Sequence, residues 1–206
     1  MKVEVFDPGG TPVEAGAKGE LVCTLPFPSM PVGFWNDDDG SRYRGAYFEH
    51  FDGVWRHGDY VELTGSGGMV FHGRSDATLN PGGVRIGTAE IYRVVETFDE
   101  ILEAVVVGQD VGDDQRIVLF VHTTDGHELD AALEDRLRSA IRAQASPHHV
   151  PRVILAVGGV PRTVSGKISE IAVRKVIHGE EIDNREALAN PESLEFYRDR
   201  SELRDS

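Results

Sequence analysis

The sequence predicts an α+β protein with a β-rich first part and a mixed second part. From Val3 to His72, short runs of β-branched and aromatic residues are separated by turns rich in glycine, proline and aspartate, a pattern typical of antiparallel strands. From Ala77 onward, amphipathic stretches typical of helices alternate with apolar runs typical of strands. The change in pattern predicts two structural parts that meet near residue 76.

The first part contains five predicted strands and one short helix. The strands are Val3 to Phe6, Glu20 to Leu25, Val54 to Arg56, Tyr60 to Leu63 and Met69 to Phe71. Ser41 to Phe51 is predicted to be helical, because Tyr43, Tyr47 and Phe51 recur every four residues and would share one helix face.

The second part contains three predicted helices and three predicted strands. The helices are Thr88 to Phe98, Asp130 to Ala145 and Ile168 to Ile177, and the strands are Leu102 to Gly108, Arg116 to His122 and Arg152 to Val157. The middle helix is the most distinctive, because Leu129, Leu133, Leu137 and Ile141 lie four residues apart with charged residues between them.

The last residues form an acidic segment. Gly179 to Ser206 carries nine acidic and four basic side chains, a net charge of −5. Leu194, Tyr197 and Leu203 could dock this segment onto the domain, and a solvated tail is the alternative. We therefore divide the sequence into residues 1–75, a β-rich portion; residues 76–178, a small α+β domain; and residues 179–206, an acidic extension.

The composition excludes several classes of protein. With 35 acidic and 21 basic residues the net charge is −14, which disfavours general binding to nucleic acid or to an anionic membrane. The single Cys23 cannot form an internal disulfide, which fits a reducing cytosol. His57, His148 and His149 have no metal-ligand spacing, and no apolar stretch approaches the roughly 20 residues that span a bilayer. We expect a soluble, cytoplasmic protein.

The first cluster that could carry chemistry is Trp55-Arg56-His57-Gly58-Asp59-Tyr60. A carboxylate such as that of Asp59, held at a strand end, can accept two hydrogen bonds from neighbouring sugar hydroxyls, each worth about 1.5–3 kcal/mol. The alternative is that Gly58-Asp59 is only a turn between two strands.

The second cluster extends from Gly73 to Ile86, where the pattern of the sequence changes. Gly82 and Gly83 would let the backbone approach a ligand closely, and Arg74 and Arg85 could contact phosphate or sugar oxygens. The alternative is a β-hairpin that carries two solvated arginines.

The third cluster, Pro161 to Ile168, is a loop of small residues ahead of a predicted helix. It is not a phosphate-binding P-loop, because Pro161 stands where that motif requires glycine and Ile168 where it requires serine or threonine. What remains is Lys167, a cation on an uncluttered loop that could be presented to an oxyanion. A solvated lysine is the alternative.

The order and spacing of these clusters resemble the adenylate-forming superfamily, which includes acyl-CoA synthetases, luciferases and peptide-synthetase adenylation domains. The matching motifs are Gly19-Glu20-Leu21, Gly58-Asp59, Gly73-Arg74-Ser75-Asp76 and Pro161 to Lys167. More narrowly, Phe34-Trp35-Asn36-Asp37, Ser41 to Tyr47, Trp55 to Asp59, Gly87-Thr88-Ala89-Glu90-Ile91 and Ala187 to Ser193 resemble the acetoacetyl-CoA synthetase family. The resemblance covers essentially the whole chain, and only the C-terminal part of such proteins.

The resemblance implies the end of a large N-terminal domain followed by a small mobile C-terminal lid. It implies an ATP-dependent, AMP-forming acid:thiol ligase whose substrates are acetoacetate, ATP and CoA. Mg²⁺ would be bound by the N-terminal region that precedes this part in the family, so we expect the isolated chain to be inactive. The alternatives are a ligase for acetate, propionate or another short acid, and a non-catalytic module that binds nucleotide or CoA.

The resemblance also implies roles for individual residues. Lys167 would be catalytic, Asp59 and Arg74 would hold the ribose, and Arg85 would contact a phosphate. Asp76 would be the hinge, and Gly82 and Gly83 would lie along the CoA path. Arg142 would contact a CoA phosphate, but the residue pattern by itself favours a plain surface arginine there. The superfamily is often controlled by reversible acylation of this lysine, which implies a lysine acyltransferase and a deacylase as partners.

Overall fold

The computed structural model describes residues 1–182 and 185–204, and it divides into two compact units between Asp76 and Ala77. The first unit has a sheet and one helix, and the second has a sheet and several helices, so the predicted α+β class is confirmed. Residues 183, 184, 205 and 206 of the acidic extension lie outside the described residues.

The first unit is a four-stranded antiparallel sheet whose strands are neighbours in sequence order. The strands are β1 (Val3–Phe6), β2 (Lys18–Cys23), β3 (Trp55–Leu63) and β4 (Met69–Arg74). The prediction of two strands separated at Gly58-Asp59 is wrong, because β3 continues through these residues. The pairing of β3 shifts register against both neighbouring strands, so a bulge within the strand absorbs the irregularity that the sequence suggested was a turn.

The short helix of the first unit, α1 (Ser41–Tyr47), ends earlier than predicted. Tyr47 stacks on Trp55 with ring centroids 3.7 Å apart. Phe51 does not share the helix face; it is buried with Phe6 and Val22 on the sheet. The aromatic residues that recur every four positions therefore pack at two separate places, Tyr47 against Trp55 and Phe51 against Phe6 and Val22.

The second unit is built around a three-stranded sheet. The strands are β5 (Ile101–Val111), β6 (Asp114–Thr123) and β7 (Val153–Ala156); β5 and β6 are antiparallel, and β6 and β7 are parallel. The helices are α2 (Thr88–Val95), α3 (Ala131–Gln144) and α4 (Glu170–Ile177). In addition, 3₁₀ segments occupy Pro81–Gly83, Pro147–His149, Arg185–Ala187, Pro191–Tyr197 and Ser201–Leu203.

Both faces of the second sheet are covered, which explains the continuous apolar runs of β5 and β6. One face packs against α2 and α3, where Leu133, Leu137 and Ile141 are buried as their spacing predicts. The other face packs against α4 and the C-terminal residues, including Leu194 and Tyr197. Of the two alternatives for the acidic extension, docking is therefore the one observed for residues 185–204.

No helix within residues 1–182 and 185–204 combines the length and the apolar character that crossing a membrane requires.

Candidate functional site

Asp59 and Arg74 face each other on neighbouring strands of the first unit. They are register partners of β3 and β4, and Asp59 Oδ1 lies 3.7 Å from Arg74 Nη1. Asp59 Oδ2 lies 3.4 Å from His57 Nε2, and the Asp59 side chain is 19% exposed. The carboxylate is thus held between two basic side chains and still has a surface that can accept a ligand hydroxyl.

Gly58 makes room for the guanidinium of Arg74. The backbone there has φ +84°, and a Cβ at this position would lie 2.5 Å from Arg74 Nη2. Arg74 Nη1 in turn donates a hydrogen bond to the His57 carbonyl at 3.3 Å. The side chain of Arg74 therefore lies directly over the backbone that presents Asp59, and the positive φ at residue 58 favours glycine.

Glu20 is a site residue whose role the sequence did not reveal beyond its place in a family motif. Its side chain is 5% exposed, and its Oε1 accepts a hydrogen bond from Gly58 N at 2.9 Å. Its Oε2 lies 3.2 Å from Arg56 Nε. The sequence feature that could have indicated this role is a glutamate placed between Gly19 and Leu21 in a predicted strand. A carboxylate buried in such a strand requires charged or hydrogen-bonding partners. Glu20 fixes the bulge that precedes Asp59.

Asp76, the last residue of the first unit, pairs with the same arginine. Its Oδ1 lies 3.4 Å from Arg74 Nε, and Arg74 Nη2 donates to its Oδ2 at 3.5 Å. Asp59 on β3, Arg74 on β4 and Asp76 at the unit boundary therefore form one group of charges within the first unit.

We predict that Gly58→Ala destabilises the first unit by about 1–2 kcal/mol, because a side chain at positive φ is strained and would also displace Arg74. Urea unfolding followed by tryptophan fluorescence measures this, since Trp35 and Trp55 both belong to this unit. Gly65→Ala is the matched control: its Cβ meets no atom within 4 Å, and we expect a change within about 0.5 kcal/mol. Equal losses in the two variants would contradict the prediction.

The glycine segment of the second unit is a short hairpin that begins and ends with the pair Leu79 and Ile86. Gly82 and Gly83, with φ of 58° and 78°, form its tip. Gly82 N donates to Asp114 Oδ1 at 2.8 Å. Residues 79–86 therefore form a hairpin whose tip is held by the start of β6, and of the two arginines in the cluster only Arg85 lies on it.

The arginines of the second cluster are separated. Arg85 is exposed on the hairpin of the second unit, and its Nε donates to Thr78 Oγ1 at 3.2 Å. Arg74 belongs to the first unit. Arg142, the third arginine considered, is exposed in the last turn of α3.

A chain of hydrogen bonds links the glycine hairpin to α4. Gln115 Oε1 accepts from Asn80 N at 2.8 Å, and Gln115 Nε2 donates to Asp110 Oδ1 at 2.9 Å. Asp110 Oδ2 accepts from Arg174 Nη2 on α4 at 2.9 Å. A Cβ on Gly108 would overlap the Gln115 amide, so glycine at 108 is what lets this amide reach both partners.

The hydrogen bonds from Gln115 and Arg174 hold the pKa of Asp110 below its usual value. A lowered folded-state pKa adds stability above the unfolded value of about 3.9, and this stability is lost as the pH falls through the folded pKa. We therefore expect Asp110→Asn to be less stable than the wild type at pH 6, with the difference shrinking below about pH 4. Urea unfolding from pH 6 to pH 3 measures it; a difference that grows in acid would contradict the assignment.

The loop that carries Lys167 is closed by its own hydrogen bonds. Thr163 N donates to Lys167 O at 2.8 Å, and Lys167 N donates to Thr163 Oγ1 at 3.1 Å. Gly166 has φ +83°, and its carbonyl accepts from Arg162 Nη1 at 2.6 Å. The Lys167 side chain is exposed, three residues before α4 begins at Glu170. This geometry presents an ammonium group on a short, defined hairpin.

Comparison with known proteins shows which proteins the chain resembles. Residues 90–167 match the family model of the AMP-binding enzyme C-terminal domain, so the second unit is a domain of the class found in AMP-binding enzymes. The chain is 59% identical over 204 residues to acetoacetyl-coenzyme A synthetase of Rhizobium meliloti and 49% identical over 207 residues to acetoacetyl-CoA synthetase of Rattus norvegicus. The chain is therefore similar, over almost its whole length, to the C-terminal part of acetoacetyl-CoA synthetases, as its motifs indicated.

Solved structures show the same similarity. Acetoacetyl-CoA synthetase from Streptomyces lividans matches with a TM-score of 0.90 and 44% identity, covering 98% of this chain and 31% of that one. A benzoate CoA ligase from Burkholderia xenovorans LB400 matches with a TM-score of 0.68 and 29% identity, covering 84% of this chain and 33% of that one. The matches to the Rhizobium and rat relatives cover 99% and 100% of this chain, which spans 31% of the length of each.

Proposed function

We propose that this chain is the C-terminal part of an ATP-dependent acetoacetate:CoA ligase, called the full-length ligase below. Acetoacetate attacks the α-phosphate of ATP to give acetoacetyl-adenylate and pyrophosphate, and the thiol of CoA then displaces AMP. The observation that carries the proposal is the 59% identity, across almost the whole chain, to a protein named acetoacetyl-coenzyme A synthetase.

In the first half-reaction, Lys167 places its ammonium on the carboxylate and phosphate oxygens where negative charge accumulates. Its exposed position on a closed hairpin supports this role, because a preorganised donor stabilises charge without reorganising in the transition state. Mg²⁺ would be held by residues of the full-length ligase that precede this chain, and it would neutralise charge on the phosphates.

Nucleotide binding falls to the charged group of the first unit. Asp59 accepts hydrogen bonds from the ribose hydroxyls, and Arg74, fixed over Gly58, holds this carboxylate and reaches the same sugar. The 19% exposure of Asp59 and its 3.7 Å distance from Arg74 support the assignment. Arg85, which belongs to the second unit, contacts a phosphate of the nucleotide.

The second half-reaction uses a different orientation of the second unit. Rotation about Asp76 withdraws Lys167 and brings Gly82 and Gly83 to the path of the CoA pantetheine, while Arg142 contacts a CoA phosphate. The position of Asp76 at the last residue of the first unit supports its role as the hinge.

Asp76→Pro in the full-length ligase is predicted to preserve adenylate formation and to slow thioester formation by about 10-fold or more, equivalent to about 1.4 kcal/mol of barrier. Proline fixes φ and removes a backbone donor, which restricts rotation at this residue. Asp76→Ala is the control, because it removes the ion pair with Arg74 and leaves the backbone free. Wild-type rates of both half-reactions in Asp76→Pro would place the hinge elsewhere.

Exchange of radiolabelled pyrophosphate into ATP tests the proposal. The full-length ligase should catalyse exchange that depends on acetoacetate, and the 206-residue chain alone should catalyse none. Exchange by the chain alone, from protein free of host ligases, would show that the chain holds a complete adenylation site. Exchange supported by acetate or propionate in place of acetoacetate would favour a short-chain acyl-CoA synthetase.

The proposed setting is the cytoplasm, in ketone-body and lipid metabolism.

Reversible acylation of Lys167 by an acyltransferase and a deacylase would switch off the first half-reaction, because an amide carries no charge. Mass spectrometry after acyltransferase treatment tests this: preferential modification of Lys167 with loss of adenylation supports it, and even modification of all exposed lysines contradicts it.

A further inference from the structure

The C-terminal residues pair with the strand that leads into the Lys167 hairpin. Ala189 N donates to Arg162 O at 2.8 Å, and Val164 N donates to Ala187 O at 2.9 Å. Between these two bonds, Thr163 and Leu188 form an antiparallel bridge. Residues 187–190, called the brace below, therefore act as a short extra strand beside the hairpin.

Asn190 extends this pairing with its side chain. Its Oδ1 accepts from Arg162 N at 2.8 Å, and its Nδ2 donates to Val160 O at 2.9 Å. These two bonds satisfy a backbone donor and a backbone acceptor two residues apart, as a neighbouring strand would. The chain turns into a 3₁₀ segment at Pro191, so the amide continues the pairing where the backbone no longer can.

The brace is itself anchored to the second unit by contacts that do not involve the Lys167 hairpin. Tyr197 is fully buried and donates from its hydroxyl to Gly159 O at 2.9 Å. Farther on, Gln109 Nε2 and Arg116 Nη2 both donate to Leu203 O, at 2.8 and 2.9 Å. The brace is thus a fixed support for the hairpin.

The hairpin needs such a support because its residues bury little side-chain surface against the rest of the second unit. Val164, Ser165, Gly166 and Lys167 are all exposed, and the short-range hydrogen bonds close the hairpin without orienting it on the sheet. Orientation comes from Arg162, whose Nε donates to Glu103 Oε1 at 2.8 Å, and from the brace. Of these supports, Asn190 holds the strand at two points.

We propose that the brace positions Lys167 and that Asn190 is a positioning residue for the adenylation half-reaction. The proposal rests on the function proposed above for Lys167. It assigns the C-terminal residues a role in the first chemical step, through the backbone of the catalytic hairpin.

Hydrogen exchange in the 206-residue chain tests the structural part without any assay of activity. Asn190→Ala should accelerate exchange of the Arg162 and Val164 amides by about 10-fold or more. Tyr197→Phe is the control, since it removes one hydrogen bond of the same segment at Gly159 and none to the hairpin; it should change these amides by less than about 3-fold. Unchanged exchange in Asn190→Ala, or equal acceleration in both variants, would overturn the proposal.

The half-reactions of the full-length ligase test the functional part. Asn190→Ala should lower kcat for adenylate formation on the order of 10-fold to 100-fold, since a displacement of about 1 Å suffices for such a loss. The KM for ATP and thioester formation from supplied acetoacetyl-adenylate should stay within about 2-fold, because Lys167 acts in one half-reaction only. A wild-type adenylation rate, or equal loss in both half-reactions, would overturn the proposal.

The two tests separate this proposal from the proposed function. If the wild-type full-length ligase shows no acetoacetate-dependent exchange of pyrophosphate, the proposed function is wrong, and the claim that Asn190 positions a catalytic lysine falls with it. If the wild type is active, the comparison of Asn190→Ala with Tyr197→Phe decides the positioning role by itself.

Discussion

Lys167→Ala in the full-length ligase is expected to slow adenylate formation by about 100-fold to 1,000-fold or more, since removing one preorganised donor raises such barriers by about 2.7–4 kcal/mol. Thioester formation from supplied acetoacetyl-adenylate should be nearly unchanged, because the proposed rotation about Asp76 withdraws the lysine for that step. Single-turnover quench measurements of each half-reaction give the two rates separately.

The control for this substitution is Lys2→Ala, which removes an exposed lysine of the first unit that pairs with Glu4. Both half-reactions should proceed at the wild-type rate in this variant. Equal loss of both half-reactions in Lys167→Ala would point to misfolding or to a single static active site, and either result would contradict alternation between two orientations.

Tyr197→Ala has the largest expected effect on stability. Its side chain is fully buried against Phe120, with ring centroids 4.8 Å apart, and removing a buried aromatic ring typically costs about 3–5 kcal/mol. Urea unfolding followed by circular dichroism at the helical wavelength measures this loss, because α2, α3 and α4 all belong to the second unit.

Two comparisons make this measurement specific. Tyr197→Phe keeps the ring and loses only the hydrogen bond to Gly159, so it should lose about 1 kcal/mol. Tryptophan fluorescence reports the first unit and should show the wild-type transition in both variants. A loss below about 1 kcal/mol in Tyr197→Ala would show that residues 185–204 do not contribute to the core.

The second unit could be predicted well because its core follows the periodicity of the sequence. The four-residue spacing in α3 and the apolar runs of β5 and β6 each report burial directly. The ends of β5 could not be predicted this way: it continues to Val111 through the polar Gln109 and Asp110, which the ladder with β6 holds by backbone hydrogen bonds.

The first unit shows what periodicity does not encode. Gly58-Asp59 is a common turn sequence, and only the register of β3 against β2 and β4 makes it a bulge. The pairing of Asp59 with Arg74 follows from that register, so the residues could be named from the family motifs while their contact could not.

The contribution of the C-terminal residues was the least predictable feature. Their acidic composition is compatible with a solvated tail, and the few apolar side chains give no strong helical pattern. Docking depends on matches with distant residues: Gly158 would clash with the Phe196 ring if it carried a Cβ, and Asn190 fits the backbone at Val160 and Arg162. Such complementarity exists only in the folded unit.

The proposed reaction can be tested directly by identifying the products that the full-length ligase forms from ATP, CoA and a panel of short acids. We expect acetoacetyl-CoA, AMP and pyrophosphate in equal amounts, with acetoacetate preferred over acetate and propionate. Formation of ADP and phosphate, or a preference for acetate, would contradict it.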